Sequence, residues 1–504
     1  MIFNDNKLKI NEKILSLDRN SVLWVEKNKD NNNSFIGFLS ITKNEMADSL
    51  LRKIFHYGKY SYLSFVGKDS VNNLKGIWKV KNSPLVYLFY KNGNYKFKRF
   101  LRKPLAAPES TFNEQDFKKH IKFLASEKLK GRGLGTKELD IASEYIRDRF
   151  REYGLRPAGD KGYFQEFNRK FNKKGVLKIR NIIGYVEGNN KEYEDQSIVV
   201  CAHYDHLGLG WPDVRKGNEG KIHFGADDNA SGISVMLELA KYFSKSFNPE
   251  RRIIFVAFSA EEAGLLGSKY FVENFKKFNV KKIIGIINLD TVGRLKNKNP
   301  MILGSTSAKE WKFIFMGIGF TTGIKTDIVL QDIDSSDQKS FINAGIPAIQ
   351  IFSGPHLDYH RPTDTIDKID FKGMIRIATI AKEAIIYLSS RKKPLTFTGN
   401  TDKVENSEQK KQIKSQGKSA SLGIMPDFSF NGKGVKIGMV IKGGAADKYG
   451  LKKGDIIVRI ANSMINNLKE YAMKLRTLKP EQKATVVIIR NNREKKYEII
   501  LQYR

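Results

Sequence analysis

Residues 198–232 read IVVCAHYDHLGLGWPDVRKGNEGKIHFGADDNASG. An apolar run ends on imidazoles and carboxylates, and a polar loop then leads into a glycine-bounded turn that opens a helix. A short continuous apolar run suits a strand buried on both faces, which is the environment of a parallel sheet covered by helices. The same pattern recurs downstream. IIFVAFS (253–259) is followed by Glu261 and Glu262, IIGIIN (283–288) by Leu289 and Asp290, and AIQIFSG (348–354) by a segment holding His356, Asp358, Tyr359 and His360. Helical spacing of apolar residues near 232–244, 263–275, 337–344 and 371–388 separates or follows these runs. Two further helices are expected near 114–127 and 139–153, with Gly154 placed to end the second. The reading for 109–390 is a three-layer α/β domain whose functional groups gather at the carboxyl ends of its strands.

The chain has 504 residues, which implies several domains at about 150 residues each. Residues 1–108 alternate short apolar runs (SVLWVEK, SFIGFLSI, YSYLSFVG, PLVYLFY) with Asn, Gly and Lys turns. One helix-like stretch near 44–55 interrupts them, so an α+β accessory module of unassigned role is expected. PLAAPEST (104–111) reads as a linker in which Ser110 or Thr111 caps the next helix. Residues 391–418 are polar enough to suggest a tether, and a separate small domain should begin near 419.

Composition excludes several classes. The single cysteine, Cys201, cannot form an intrachain disulfide, so any metal must be held by His, Asp and Glu. No apolar stretch approaches the roughly 18 residues of a transmembrane helix, and MIFNDNKLKINEK lacks the apolar region of a signal peptide. The net charge is +34, but it sits mostly in the flanks: 20 Lys and Arg against 9 Asp and Glu in 1–110, and 25 against 10 in 391–504. These lysines are scattered, without interleaved aromatics or a nucleic-acid motif, so the charge reads as compositional bias and no nucleic-acid partner is expected.

Two divalent cations about 3.5 to 4 Å apart repel unless anions stand between them, so such a site needs imidazoles, terminal carboxylates and a bridging carboxylate. The strand ends supply that set. In order, AHYDH, GADDNASG, SAEEAGLLGS, NLD and DYHRPTDT resemble the co-catalytic di-zinc aminopeptidases, metallopeptidase family twenty-eight, across roughly 112–390. The resemblance implies a zinc-exopeptidase-type fold with a mixed central sheet. It implies two zinc ions, or other divalent metals, with His203 and Asp290 on one, Glu262 and His360 on the other, and Asp228 bridging. It makes Glu261 the general base toward a water shared by the metals. It also implies a cis peptide between Asp228 and Asn229, in support of the site. Asp205, two residues after His203, resembles the carboxylate that orients a zinc histidine. Tyr359 stands where some family members place an oxyanion-stabilising hydroxyl, and Asp364 would support the His360 loop. His206, His223 and His356 match no ligand position and read as structural or surface residues. His56 and His120 fall outside the motifs. A protease-associated insert is not recognisable before AHYDH.

The C-terminal GAADKYGLKKGDIIVRIAN, preceded by SLGI, looks like a PDZ domain of the bacterial type. This implies a C-terminal peptide ligand whose carboxylate meets the loop Leu422, Gly423 and Ile424. The function implied is removal of N-terminal residues from peptides. The alternatives are a carboxypeptidase or other amide hydrolase on the same fold, and a non-catalytic PDZ-based binding protein, whose mark would be lost ligands. No ligand position is lost. The compartment stays open: the resemblance suggests export to a periplasmic or extracellular location, and otherwise the location is cytoplasmic.

Overall fold

A computed structural model describes residues 2–4, 6–10, 13–28, 35–78, 111–172, 174–331, 336–399, 420–430 and 432–503. The chain divides into two compact units, residues 1–103 and 104–504. In the first, an antiparallel sheet runs in the order Phe35–Ser40, Ser21–Lys27, Tyr62–Val66, Val71–Gly76. A helix, Ala47–Ile54, buries Leu50 against Leu63 and Phe65. The expected α+β character is present; PLVYLFY and Ser110 lie outside the described residues.

The second unit is built on a nine-stranded mixed sheet. Its strands are β1 (Arg156–Pro157), β2 (Phe164–Phe171), β3 (Gly175–Val186), β4 (Ser197–His203), β5 (Arg252–Phe258), β6 (Ile283–Leu289), β7 (Met301–Leu303), β8 (Asp327–Ile328) and β9 (Ala348–Phe352). The order is β8-β7-β9-β6-β4-β5-β3-β1, with β2 paired to β3. The four central strands β9, β6, β4 and β5 are parallel, and antiparallel strands flank them. Every residue of β4, β5 and β6 is buried, as a strand covered on both faces requires. Alternate residues feed opposite layers. Ile198, Val200 and Ala202 share one buried core with α1 (Glu114–Leu124), α2 (Lys137–Tyr153), α3 (Gly232–Lys245), α5 (Trp311–Thr322) and α7 (Phe371–Ser390). Val199 and Cys201 meet α4 (Leu266–Asn274) and α6 (Gln338–Asn343). In α3 alone Ile233, Val235, Met236, Leu237, Leu239 and Phe243 are wholly buried, each contributing about 1.5–3 kcal/mol.

Local chemistry sets the helix ends. Thr136 Oγ1 accepts from Leu139 N (3.3 Å), and Gly154, at φ 83°, ends α2 as its position predicts. The cap of α1 is Asn113 rather than Ser110 or Thr111: Asn113 Oδ1 accepts from Asp116 N (2.9 Å). Thr111 Oγ1 instead accepts from Lys382 Nζ (3.2 Å). The helix expected from 263 begins at Leu266, because Gly264 N and Leu265 N turn back to Glu261 O at 2.8 and 2.9 Å. The start of the predicted tether is docked: Leu395 is buried, and Thr396 N donates to Glu310 Oε2 (3.0 Å).

The C-terminal domain has its own core around Leu422, Ile437, Ile457, Ile460, Val486 and Ile499. Its strands are β10 (Ala420–Ser421), β11 (Ile424–Pro426), β12 (Val435–Val440), β13 (Ile456–Ile460), β14 (Ser463–Met464), β15 (Lys483–Arg490), β16 (Arg493–Ile500) and β17 (Gln502–Tyr503), and its helices are α8 (Ala445–Lys448) and α9 (Leu468–Thr477). The sheet order is β11-β12-β13-β15-β16, with β14 on β13 and a separate β10-β17 pair. No described helix is long and apolar enough to cross a membrane.

Candidate metal centre

Parallel register brings the ends of four strands level: His203 pairs with Phe258, Cys201 with Asn288, and Leu289 with Ile351. His203 therefore leaves the sheet beside Asp290, while the turns after β5 and β9 deliver Glu262 and His360. The GADDNASG turn enters from above with non-helical Asp228 and Asn229 joined by a cis peptide bond, and α3 begins only at Gly232.

The Asp228 carboxylate is the hinge of the arrangement. Its Oδ1 lies 3.3 Å from His203 Nε2, which is 3.5 Å from Asp290 Oδ1. Its Oδ2 lies 3.3 Å from His360 Nε2, which is 3.1 Å from Glu262 Oε2. His203, Asp228 and Asp290 can offer one ligand atom each to a common ion, as can His206, Asp228 and Glu262. Asp228 Oδ2, His360 Nε2 and His206 Nε2 are buried without a hydrogen-bond partner. Buried donor atoms converging with that many carboxylates fit divalent cations, which would replace lost hydration.

Asp227, beside the hinge, faces elsewhere. Its Oδ1 accepts from Gly293 N, and its Oδ2 meets His356 Nε2 at 3.0 Å. His356, expected to be structural or surface, thus faces Asp227. Asn229 ties the turn to β6, donating Nδ2 to Leu289 O (2.9 Å) and accepting from Gly232 N and Thr291 N. Asp364 does more than support its own loop: Oδ2 accepts from Asp227 N and Asp228 N (2.9 and 3.1 Å), and Oδ1 from Arg294 Nη2 (2.8 Å).

Asp205 departs from its expected part. Its carboxylate accepts the amides of Glu261 (3.1 Å) and Glu262 (3.4 Å), and it is the Asp205 backbone oxygen that meets His203 Nδ1 at 3.1 Å. The Asp205 carboxylate oxygen lies 3.9 Å from that nitrogen. The chain turns out of strand geometry after His203, so the two-residue alternation no longer aims the side chain. His206, expected to be structural or surface, is fully buried, with Nδ1 2.9 Å from Glu262 Oε1. The ring of Tyr359 stacks on His360 at 3.9 Å. His223 bonds Lys221 O, and His120 sits remotely between Glu238 and Tyr145.

Electrostatics follow from burial among these charges. Burial pushes the Glu261 carboxyl well above its usual range, with Glu262, Asp337 and Asp290 adding to the shift against the pull of His203. Burial is the largest influence on Glu262 and acts in the same direction, but the His360 charge and the bonds to His206 and His360 together outweigh it and hold Glu262 at about 2. Burial would lower His203; the Glu261 charge and the bonds to Asp228 and Asp290 raise it well above the histidine range instead. Burial and the surrounding carboxylates keep Tyr359 protonated.

Two residues not singled out by sequence reasoning matter here. Asp213, in the 207–224 loop, places Oδ2 3.0 Å from His360 Nδ1. Arg132, from the GRG between α1 and α2, is fully buried. Its guanidinium donates to Tyr204 O, Phe224 O and Gly225 O, each at 2.9 Å, and to Leu124 O. It pins the start of GADDNASG to the end of AHYD. Burial lowers its pKa to about 10, so the cation persists at neutral pH facing Asp228 and Asp205. Arg132→Met is expected to lower unfolding free energy by about 3 kcal/mol or more, because three buried carbonyls and one part-buried one lose their donor. Urea unfolding measures this, and a loss under about 0.5 kcal/mol, as for a surface site, would contradict the role.

Buried imidazoles and carboxylates gathered at the carboxyl end of a mixed sheet form a site able to hold divalent cations. Residues 181–385 match Peptidase family M28, and residues 408–501 match the PDZ domain. Residues 181–385 thus resemble an M28 peptidase domain, and the C-terminal residues a PDZ domain. Among curated proteins, Aminopeptidase YwaD of Bacillus subtilis (strain 168) is 30% identical over 247 residues, 45% of this chain and 50% of that protein. A probable zinc metalloprotease of Phaeosphaeria nodorum is 34% identical over 127 residues, 24% of this chain and 25% of that protein. The chain thus spans half or less of the length of these relatives. Among solved structures, the aminopeptidase from Aneurinibacillus sp. strain AM-1 aligns with a TM-score of 0.45 at 18% identity, covering 56% of this chain and 96% of its own.

Proposed function

We propose that the chain is an aminopeptidase working with two zinc ions, which removes N-terminal residues from peptides. The observation that carries this reading is the Asp228 carboxylate, whose two oxygens face two separate histidine–carboxylate groups. His203 and Asp290 would hold one ion, His360 and Glu262 the other, and Asp228 both. Zinc there supplies Lewis acidity, lowering the pKa of a water and polarising the scissile carbonyl. Glu261, half-buried and raised in pKa, takes the proton of the attacking water and returns it to the leaving amine. The Tyr359 hydroxyl, protonated and close to the carboxylates, is the donor offered to the developing oxyanion. Asp205 holds the amides of Glu261 and Glu262, and so aims base and ligand together.

Hydrolysis of aminoacyl fluorogenic amides beside their N-acetylated twins tests the reading. Cleavage of the free amines alone, abolished by chelation and restored by zinc, is expected. Equal cleavage of the acetylated twins would overturn the exopeptidase assignment. Asp213 supplies a second check. Removing the carboxylate behind a metal-binding histidine generally weakens metal affinity about 10–100-fold. Asp213→Ala should weaken one of the two zinc sites by that factor in chelator competition and leave the other unchanged.

A further inference from the structure

We infer that the PDZ domain captures the C-terminal carboxylate of the same peptide whose N-terminal residue is removed, so that one substrate chain spans both domains. This rests on the aminopeptidase reading. The ligand class is an extended peptide ending in a free carboxylate.

The C-terminal domain offers such a chain a strand edge. Strand β11 stands at the edge of its sheet. Ile424 is registered opposite Val440, and Ile441 N donates to Gly423 O at 2.9 Å. In an antiparallel ladder that places Ile424 and Val440 in a wide pair, so the N–H and C=O of Ile424 point away from β12 toward the open edge. In the preceding loop, Leu422 O and Gly423 O are both engaged inward, by Ala446 N and Ile441 N. Ser421 Oγ accepts from Gly423 N (3.0 Å) and retains a proton to donate to an anion. Residues 420–504 carry 17 Lys and Arg against 7 Asp and Glu, which suits an anionic terminus.

The attachment of the domain gives the captured chain a direction. A carboxylate held at Leu422–Ile424 sends the body of the peptide along β11 toward Phe428. Pro426 has no N–H, so the added ladder is short and the rest of the peptide leaves the groove. At that end the PDZ domain is fastened to the catalytic one. Gln331 donates to Phe430 O and accepts from Leu468 N (3.3 Å), gripping both the turn after β11 and the start of α9. Phe428 packs on Phe352, their ring centroids 6.0 Å apart, beside Met301, Leu303 and Val329. Phe352 closes β9, and its neighbour Ile351 accepts from the Asp290 amide at 3.4 Å. On the other flank, Lys216 of the loop carrying Asp213 lies 4.1 Å from the ring of Tyr503. The peptide therefore emerges at the end of the catalytic sheet where the candidate ligands stand.

The test uses the whole zinc-loaded chain and peptides of matched sequence, from two to about twelve residues, as free acids and as carboxamides. For the longer peptides the free acid should show a KM about tenfold lower at unchanged kcat, because anchoring one end raises the effective concentration of the other. Dipeptides, too short to span, should show no such gap. Gly423→Val, at φ 73° with a Cβ 2.9 Å from Gln502 Oε1, should abolish the gap. Gln331→Ala avoids that crowding. It should keep acid-selective binding of a labelled peptide in fluorescence anisotropy, keep aminoacyl-amide hydrolysis, and lose the KM gap. Equal KM for acid and amide at every length, or a gap unaltered by Gln331→Ala, overturns the inference. Acid-selective binding without any aminoacyl-amide hydrolysis overturns the aminopeptidase reading instead.

Discussion

Glu261→Gln is expected to lower kcat by about 10²- to 10⁴-fold, the range usual for losing a positioned general base, with zinc content unchanged. Glutamine keeps the shape of the side chain and leaves intact the backbone amide that donates to Asp205. It removes only the capacity to exchange a proton. The wild-type carboxyl is raised by burial and by Glu262, Asp337 and Asp290, which suits a group that must accept and release a proton in one cycle. The base works deprotonated, so wild-type kcat should fall as pH drops through that raised pKa, and the variant should lose this acid limb. Measuring kcat against pH alongside zinc per chain checks both statements. Zinc loss from the Gln variant equal to that from Asp228→Ala would refute the separation of base from ligand.

Asp228→Ala should have the other large effect, loss of both metals and with them of turnover. One carboxylate faces two imidazoles at 3.3 Å each, so on the proposed two-ion reading its removal would leave two cations close together with no anion between them. Asp227→Ala is the informative neighbour. Its carboxylate serves Gly293 N, Ser231 Oγ and His356, so the expected cost falls on stability while metal is retained. Zinc content and thermal midpoint of the two variants, measured together, should move in opposite patterns. Equal metal loss in both would contradict the assignment of the bridge to Asp228.

Much of this was legible because local pattern and tertiary role coincide. A strand buried on both faces must be apolar throughout, so IVVC, IIFVAF and IIGIIN declare the parallel centre of the sheet, and whatever follows them stands at its carboxyl edge. The hairpin of β2 and β3 was less readable. Its outer half is exposed and mixes Lys, Arg and Glu with apolar residues, which blurs the two-residue alternation. Helix α5 went unmarked because WKFIFMGIGFTT is apolar almost all round and contains two glycines.

The amino-acid order by itself determined the fold class and the PDZ domain and, through the family resemblance, nominated five candidate ligands, since each depends on residues close in sequence to a strand or helix end. The tertiary structure alone decided which groups stand behind them. Asp213 meets His360 across 147 positions, and Arg132 reaches Gly225 across 93. Gln331 joins Phe430 across 99. Asp205 lies only two residues from His203, yet its carboxylate serves amides 56 and 57 positions away. Contacts between loops carry no periodicity, because their partners are set by where the packed sheet leaves each loop and not by the spacing of residues along it.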